Sequence, residues 1–126
     1  MSNDMKVSHE LFRQLLKLPR SLTVAFLALS DMSGADNRVA LYSELRREYA
    51  LRLGVSIQQV NRLVYDMQKA GLIRRVAHGI YFINPYIVNK AIPGKLGKLK
   101  KSWRELVERD KEGDKVYVLK RASNDR

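Results

Sequence analysis

The segment Ala50-Leu51-Arg52-Leu53-Gly54-Val55-Ser56-Ile57-Gln58-Gln59-Val60 constrains the fold more than any other stretch of this chain. A small residue is followed four positions later by a glycine, then by an apolar residue and a serine. Ala50 lets a second helix approach the first. Gly54 suits the left-handed backbone that ends a helix, which a residue with a side chain adopts only with strain. Ser56 can cap the next helix, with Gln59 at the third helical position completing a capping box. The spacing predicts helices over 43–53 and 56–70 packed around a tight turn, a helix-turn-helix. That geometry serves to present a second helix to the DNA major groove.

The residues after the second helix extend the pattern. Gly71 is placed to end that helix, and residues 73–76 and 80–83 read as two short β-rich runs. Ala77-His78-Gly79 connects them as a three-residue hairpin loop with glycine last, where such loops commonly want it. Pro85 cannot donate to a ladder and ends the second strand. Residues 39–41 can add a short strand, so the order is that of a winged helix. Towards the amino terminus, Leu11, Phe12, Leu15 and Leu16 form a helical stripe over 9–17. Pro19 breaks it, Ser21 can cap, and 22–29 is apolar almost all round, as buried helices are. Residues 33–37 read as a loop and 91–94 as a break. Residues 95–109 form a helix with Leu99, Trp103, Leu106 and Val107 on one side; Trp103 there is a packing residue or part of a subunit interface. Residues 116–119 read as a terminal strand, and the last few residues as a disordered tail. The expected fold is mainly α with a small β-hairpin: a winged helix-turn-helix over 1–93 including the amino-terminal helices, and a basic helix and tail over 94–126.

Composition narrows the function. The 126 residues, 45% of them hydrophobic, suffice for a single core. No apolar run is long enough to cross a bilayer, and the amino-terminal stretch is not built like a signal peptide. Without cysteine there are neither disulfides nor thiolate metal sites, and a reducing, cytoplasmic setting is expected. His9 and His78 lie far apart with no acidic cluster near either, so neither metal nor cofactor is expected. The net charge of +11 is unevenly spread. Residues 1–41 hold five basic against four acidic side chains, 42–89 seven against three, and 90–126 twelve against six. Positive charge thus gathers on the helix-turn-helix and beyond it. A generic basic surface or attraction to an acidic membrane would also give a positive balance. Coincidence with the turn unit favours double-stranded DNA as the polyanion.

On the helix over 56–70, Val60, Leu63, Val64 and Met67 share one face at helical spacing and belong to the core. The opposite face carries Gln58, Gln59, Asn61, Arg62, Tyr65 and Lys69. Amides pair with adenine and arginine with guanine. A solvated polar face is the bland reading, but the turn in front and the hairpin behind favour base contact for Gln58, Asn61 and Arg62. Ser56 lies at the start of the same helix, and the capping box engages Gln59. Arg74 and Arg75 open the wing and His78 sits at its tip, suited to the phosphate backbone or a narrow minor groove. Alternation turns one of the two arginines away. It also puts Tyr81 and Phe82 on opposite faces, one of them in the core. Lys95, Lys98, Lys100 and Lys101, with Arg104, contain no acidic residue among them, and either hold phosphates or keep an exposed helix soluble.

The run from the turn unit through Gly79-Ile80-Tyr81-Phe82-Ile83-Asn84-Pro85-Tyr86-Ile87-Val88-Asn89-Lys90 resembles plasmid replication initiators of the RepL type, in which a winged helix precedes a tyrosine-rich strand ending in Ile-Asn-Pro. The resemblance covers Leu45 to Lys90. It implies binding to a plasmid origin and recruitment of host replication proteins, with Gln58, Asn61 and Arg62 on the recognition helix and Arg75 to Gly79 in the wing. The alternatives are a transcriptional regulator binding an operator, and a protein-binding assembly module. The last would need an apolar or acidic recognition face. Self-association as a homodimer is compatible with either DNA-binding reading. A nicking enzyme would need closely spaced histidines beside a tyrosine, and His9 and His78 do not supply them. Gly94-Lys95-Leu96-Gly97-Lys98 has neither the spacing nor the preceding strand of a phosphate loop. The chain is therefore expected not to be an enzyme.

Overall fold

Gly54 does what its position requires: it stands at φ 67°, ψ 35°, with its N–H turned back onto the Ala50 and Leu51 carbonyls. The Val55 N–H also bonds Ala50 O at 3.0 Å, closing the helix end. The computed structural model of the chain describes residues 6–7, 13 and 15–124, and side chains within 13 and 15–112. Its elements, in chain order, are β1 (Lys6–Val7), α1 (Arg20–Met32), β2 (Arg38–Ala40), α2 (Ser43–Leu53), α3 (Ile57–Lys69), β3 (Ile73–Ala77), β4 (Ile80–Ile83), β5 (Val88–Asn89) and α4 (Leu96–Asn124). The described fold is mainly α and winged-helix-like, with α2 and α3 as its helix-turn-helix. Gly54→Val should destabilise it by at least about 1 kcal/mol in urea denaturation. Nothing lies within 4 Å of the added Cβ, so backbone strain alone would be measured. An unchanged midpoint would show that this turn holds no left-handed constraint.

The three helices of the bundle meet through the residues that periodicity assigns inward. Phe26 and Leu29 of α1, Tyr49 and Ala50 of α2, and Val60, Val64 and Met67 of α3 belong to one buried cluster. Val39, Ile73, Tyr81 and Ile83 join it from the sheet. The Tyr49 hydroxyl donates to the Ala25 carbonyl of α1, and burial pushes its phenol pKa well above the ordinary value.

Strands order as β2-β4-β3, all antiparallel, while β1 and β5 pair separately. Tyr81 and Phe82 do lie on opposite faces of the larger sheet, and the core takes in not one of them but both. Tyr81 faces the helical bundle, whereas Phe82 faces α4, where the Trp103 ring lies 6.0 Å away at 58°. Arg38 and Arg74 flank Phe82 as its partners on β2 and β3.

Further boundaries shift for local reasons. The wing strand β3 runs on to Ala77, which pairs with Ile80 across a bulge, so the connection shrinks to His78-Gly79. The cap of α1 is Pro19, not Ser21: the Pro19 carbonyl accepts from Leu22 N at 3.0 Å and Thr23 N at 3.1 Å. Ser21 falls inside the first turn. Residues 116–119 are not a strand but part of α4, whose backbone is satisfied within the helix. Helix also replaces the disordered tail as far as Asn124, and residues 125–126 lie outside the described ones. The helix expected over 9–17 falls largely outside the described residues; Leu15 is buried and Leu16 exposed.

Two asparagines brace the sheet. Asn84 donates to Gly71 O at 3.0 Å and accepts from Tyr86 N at 2.9 Å, which turns the chain after β4 and ties that turn to the end of α3. Asn37 is buried in the loop before β2 and bonds the Ile83 and Val88 carbonyls at 3.1 and 2.7 Å.

Candidate nucleic-acid interface

Ser56 and Gln59 begin the candidate surface by fixing where α3 starts. Gln59 N–H donates to Ser56 Oγ at 3.1 Å, and Ser56 N–H donates to Gln59 Oε1 at 2.9 Å. Each side chain thus has its oxygen engaged in the capping box. Beyond the cap, Gln58, Asn61, Arg62, Tyr65 and Lys69 are all exposed on the face opposite Val60, Val64 and Met67. Arg62 stands within 3.8 Å of Asp66, one turn on, with its side chain 82% exposed. A pair that open is worth little and restrains Arg62 only weakly.

The wing lies beside this face. The Gly79 carbonyl accepts from Leu41 N at 2.7 Å, and an added Cβ at Gly79 would come within 2.7 Å of two Tyr42 ring carbons. The hairpin turn is thereby seated on the residue that precedes α2. Gly79 also takes φ 72°, so both backbone and space call for glycine there. Arg75 and His78 are exposed, with Arg75 Nη2 3.1 Å from His78 Nδ1. They line a groove of about 330 Å³ together with Tyr42, Ser43 and Arg46. The groove wall is cationic and opens between wing and helix-turn-helix.

Arg74 and the lysine cluster lie apart from the wing tip. Arg74 is turned away: its Nη1 bonds Asp110 Oδ2 at 2.6 Å, and its guanidinium sits 5.4 Å from the Trp103 ring centroid. Alternation assigns one of the paired arginines inward, and α4 supplies what Arg74 meets there. Among Lys95, Lys98, Lys100 and Lys101, Lys100 is half-buried with its ammonium 5.0 Å from the Tyr86 ring centroid. Arg104 donates to the Tyr86 hydroxyl at 2.7 Å. Tyr86 follows β4 at the end opposite the wing tip, so the lysine cluster is anchored away from His78. Lys95, Lys98 and Lys101 are exposed. Trp103 is spent within the chain, on Phe82 and Arg74, rather than offered to a second copy.

Arg46 and Arg109 join the surface without having stood out in the sequence pattern. Arg46 Nη1 donates to Asn61 Oδ1 at 2.5 Å, and Arg46 Nε to Leu41 O at 3.3 Å. Arg109 donates to the Arg75 and Val76 carbonyls at 2.6 and 3.3 Å, covering part of the free edge of β3. A basic residue on the first helix of the turn unit is a visible signal for Arg46. Nothing local points to Arg109.

Helix-turn-helix, three-stranded wing and outward polar helix face define a mainly α, winged-helix-like protein. Residues 19–121 match the family described as Firmicute plasmid replication protein (RepL). The chain belongs to that family. No curated protein and no solved structure matches it.

Proposed function

We propose that this plasmid replication protein binds duplex DNA at its replication origin in a sequence-specific way, with α3 in the major groove and the β3–β4 wing on the adjacent backbone or minor groove. The observation that carries this reading is the exposed row Gln58, Asn61 and Arg62 on a capped helix, set beside a groove lined by Arg46, Arg75 and His78. Its residue types suit base edges and phosphates respectively. The protein acts by binding, not by catalysis, in the cytoplasm. Among the described residues no helix is long and apolar enough to cross a membrane. Host replication proteins are the partners that family membership suggests. Any pairing of two copies on repeated sites would use surfaces other than Trp103.

Selection of bound fragments from the source replicon tests the reading. Enrichment of an origin repeat supports it, enrichment of a promoter makes the chain a transcriptional regulator, and no enrichment sinks sequence-specific binding. In the same assay Arg62→Ala should weaken cognate binding by roughly 1–3 kcal/mol and leave random duplex almost unaffected. Neutralising Lys95, Lys98 and Lys101 together should instead act on cognate and random duplex alike. Affinity falls for every duplex, and the log K against log salt slope flattens by up to about 3 units. Equal losses on cognate and random DNA for Arg62→Ala would make Arg62 a phosphate contact.

A further inference from the structure

We infer that Arg46 decides which base edge Asn61 can read, turning Asn61 into a donor that selects guanine or thymine rather than adenine. This inference rests on the proposed placement of α3 in the major groove. Arg46 Nη1 lies 2.5 Å from the side-chain oxygen of Asn61. A guanidinium carries only donors, so the Asn61 atom facing it has to be the carbonyl oxygen. The orientation of this amide is therefore fixed by chemistry and not by a choice between two similar atoms. The NH2 group is left as the outward-facing half.

Arg46 is itself held. Its Nε donates to the carbonyl of buried Leu41, and the Leu41 N–H donates to Gly79 in the wing turn. The wing turn, Leu41, Arg46 and Asn61 form one connected path. The amide can rotate only by giving up a charge-assisted hydrogen bond, stronger than an ordinary one.

The consequence for readout is electrostatic. An asparagine reading adenine accepts from the N6 amino group through Oδ1 while donating to N7. Here one lone pair of Oδ1 already accepts from a cation, and an adenine amino group approaching the other would set its positive hydrogens against the guanidinium, leaving adenine only its N7 contact. Guanine offers O6 and N7, and thymine O4, all acceptors. Those edges suit an outward NH2 with a positive neighbour. The sequence alone suggests the opposite preference, because amides on a recognition helix are read first as adenine contacts.

The experiment is selection from a randomised duplex library with the wild-type protein and the Asn61→Ala, Arg46→Met and Arg46→Lys variants. One position of the selected site should lose its preference in Asn61→Ala. In the wild type that position should be guanine or thymine. Arg46→Met, which keeps the aliphatic stem and loses the donors, should move it towards adenine and weaken binding to the wild-type site roughly tenfold. Arg46→Lys retains a donor and should retain the preference. In the free protein, the Asn61 side-chain amide resonances should shift in Arg46→Met. Adenine at the Asn61-dependent position of the wild-type site overturns the inference and leaves sequence-specific binding intact. This arm decides even if Arg46→Met folds poorly. An unchanged preference in a folded Arg46→Met also overturns it. Failure of every variant and the wild type to enrich any sequence removes the origin-binding reading, and this inference with it.

Discussion

Asn37→Ala is expected to lower stability by about 3–4 kcal/mol, measured by urea denaturation followed by circular dichroism. Asn37 is buried, and its amide serves two strands at once. Nδ2 donates to Ile83 O and Val88 O, and Oδ1 accepts from Lys90 N at 3.3 Å. Its backbone carbonyl accepts from Ile83 N at 2.8 Å. Truncation leaves two buried carbonyls and one N–H without their partner, each costing about 1 kcal/mol or more. The residue also stands at φ 60°, where asparagine is tolerated better than alanine. Asn37→Gly separates the two contributions, because it relieves the backbone while losing the same hydrogen bonds. Asn37→Asp keeps the size but sets a carboxylate against two carbonyl oxygens, and should be no better than alanine. A loss under about 1 kcal/mol for Asn37→Ala would mean that water replaces the amide, and that the loop does not brace the sheet.

What was legible in the sequence was local. Ala50, Gly54, Ser56 and Gln59 announce their turn and cap because each acts within a few residues of itself. Periodicity likewise separates Val60, Val64 and Met67 from Gln58, Asn61 and Arg62, since a helix fixes its own faces. The three-stranded wing follows from the two β-rich runs and the short segment before α2. Asn37 reads only as part of a polar loop, because its partners lie 46 and 51 residues away. Arg74 looks like a candidate contact because its carboxylate, Asp110, is 36 residues further on. Phe82 carries no sign of a second covering layer, since alternation shows that a strand has two faces and not what lies on each. Arg46 is the instructive omission. Its partner Asn61 is on the neighbouring helix, and only the packing angle of α2 against α3 brings a reading residue and its holder together.

Trp103→Ala is expected to cost about 3–5 kcal/mol, because it empties the layer between the sheet and α4. Trp103 is buried against Phe82 on one side and the Arg74 guanidinium on the other. Arg74 depends on that shelter: its Nε is buried without a hydrogen-bond partner among the described residues, and its charge is answered by Asp110. Removing the indole leaves a cavity and weakens the docking that holds Asp110 against Arg74. Trp103→Phe keeps an aromatic face and should lose less than half as much. The effect should also reach the candidate interface. Arg109, on the same stretch of α4, donates to the backbone of Arg75 and Val76, so undocking frees the edge of β3. Hydrogen exchange should then quicken at the free edge of β3 before it quickens in α3, whose core around Phe26, Tyr49 and Val60 does not include Trp103. Cognate binding should weaken even in conditions where Trp103→Ala remains folded. A variant that melts and exchanges like the wild type would show that α4 is an appendage, and that the wing keeps its place through β2 and the main core without it.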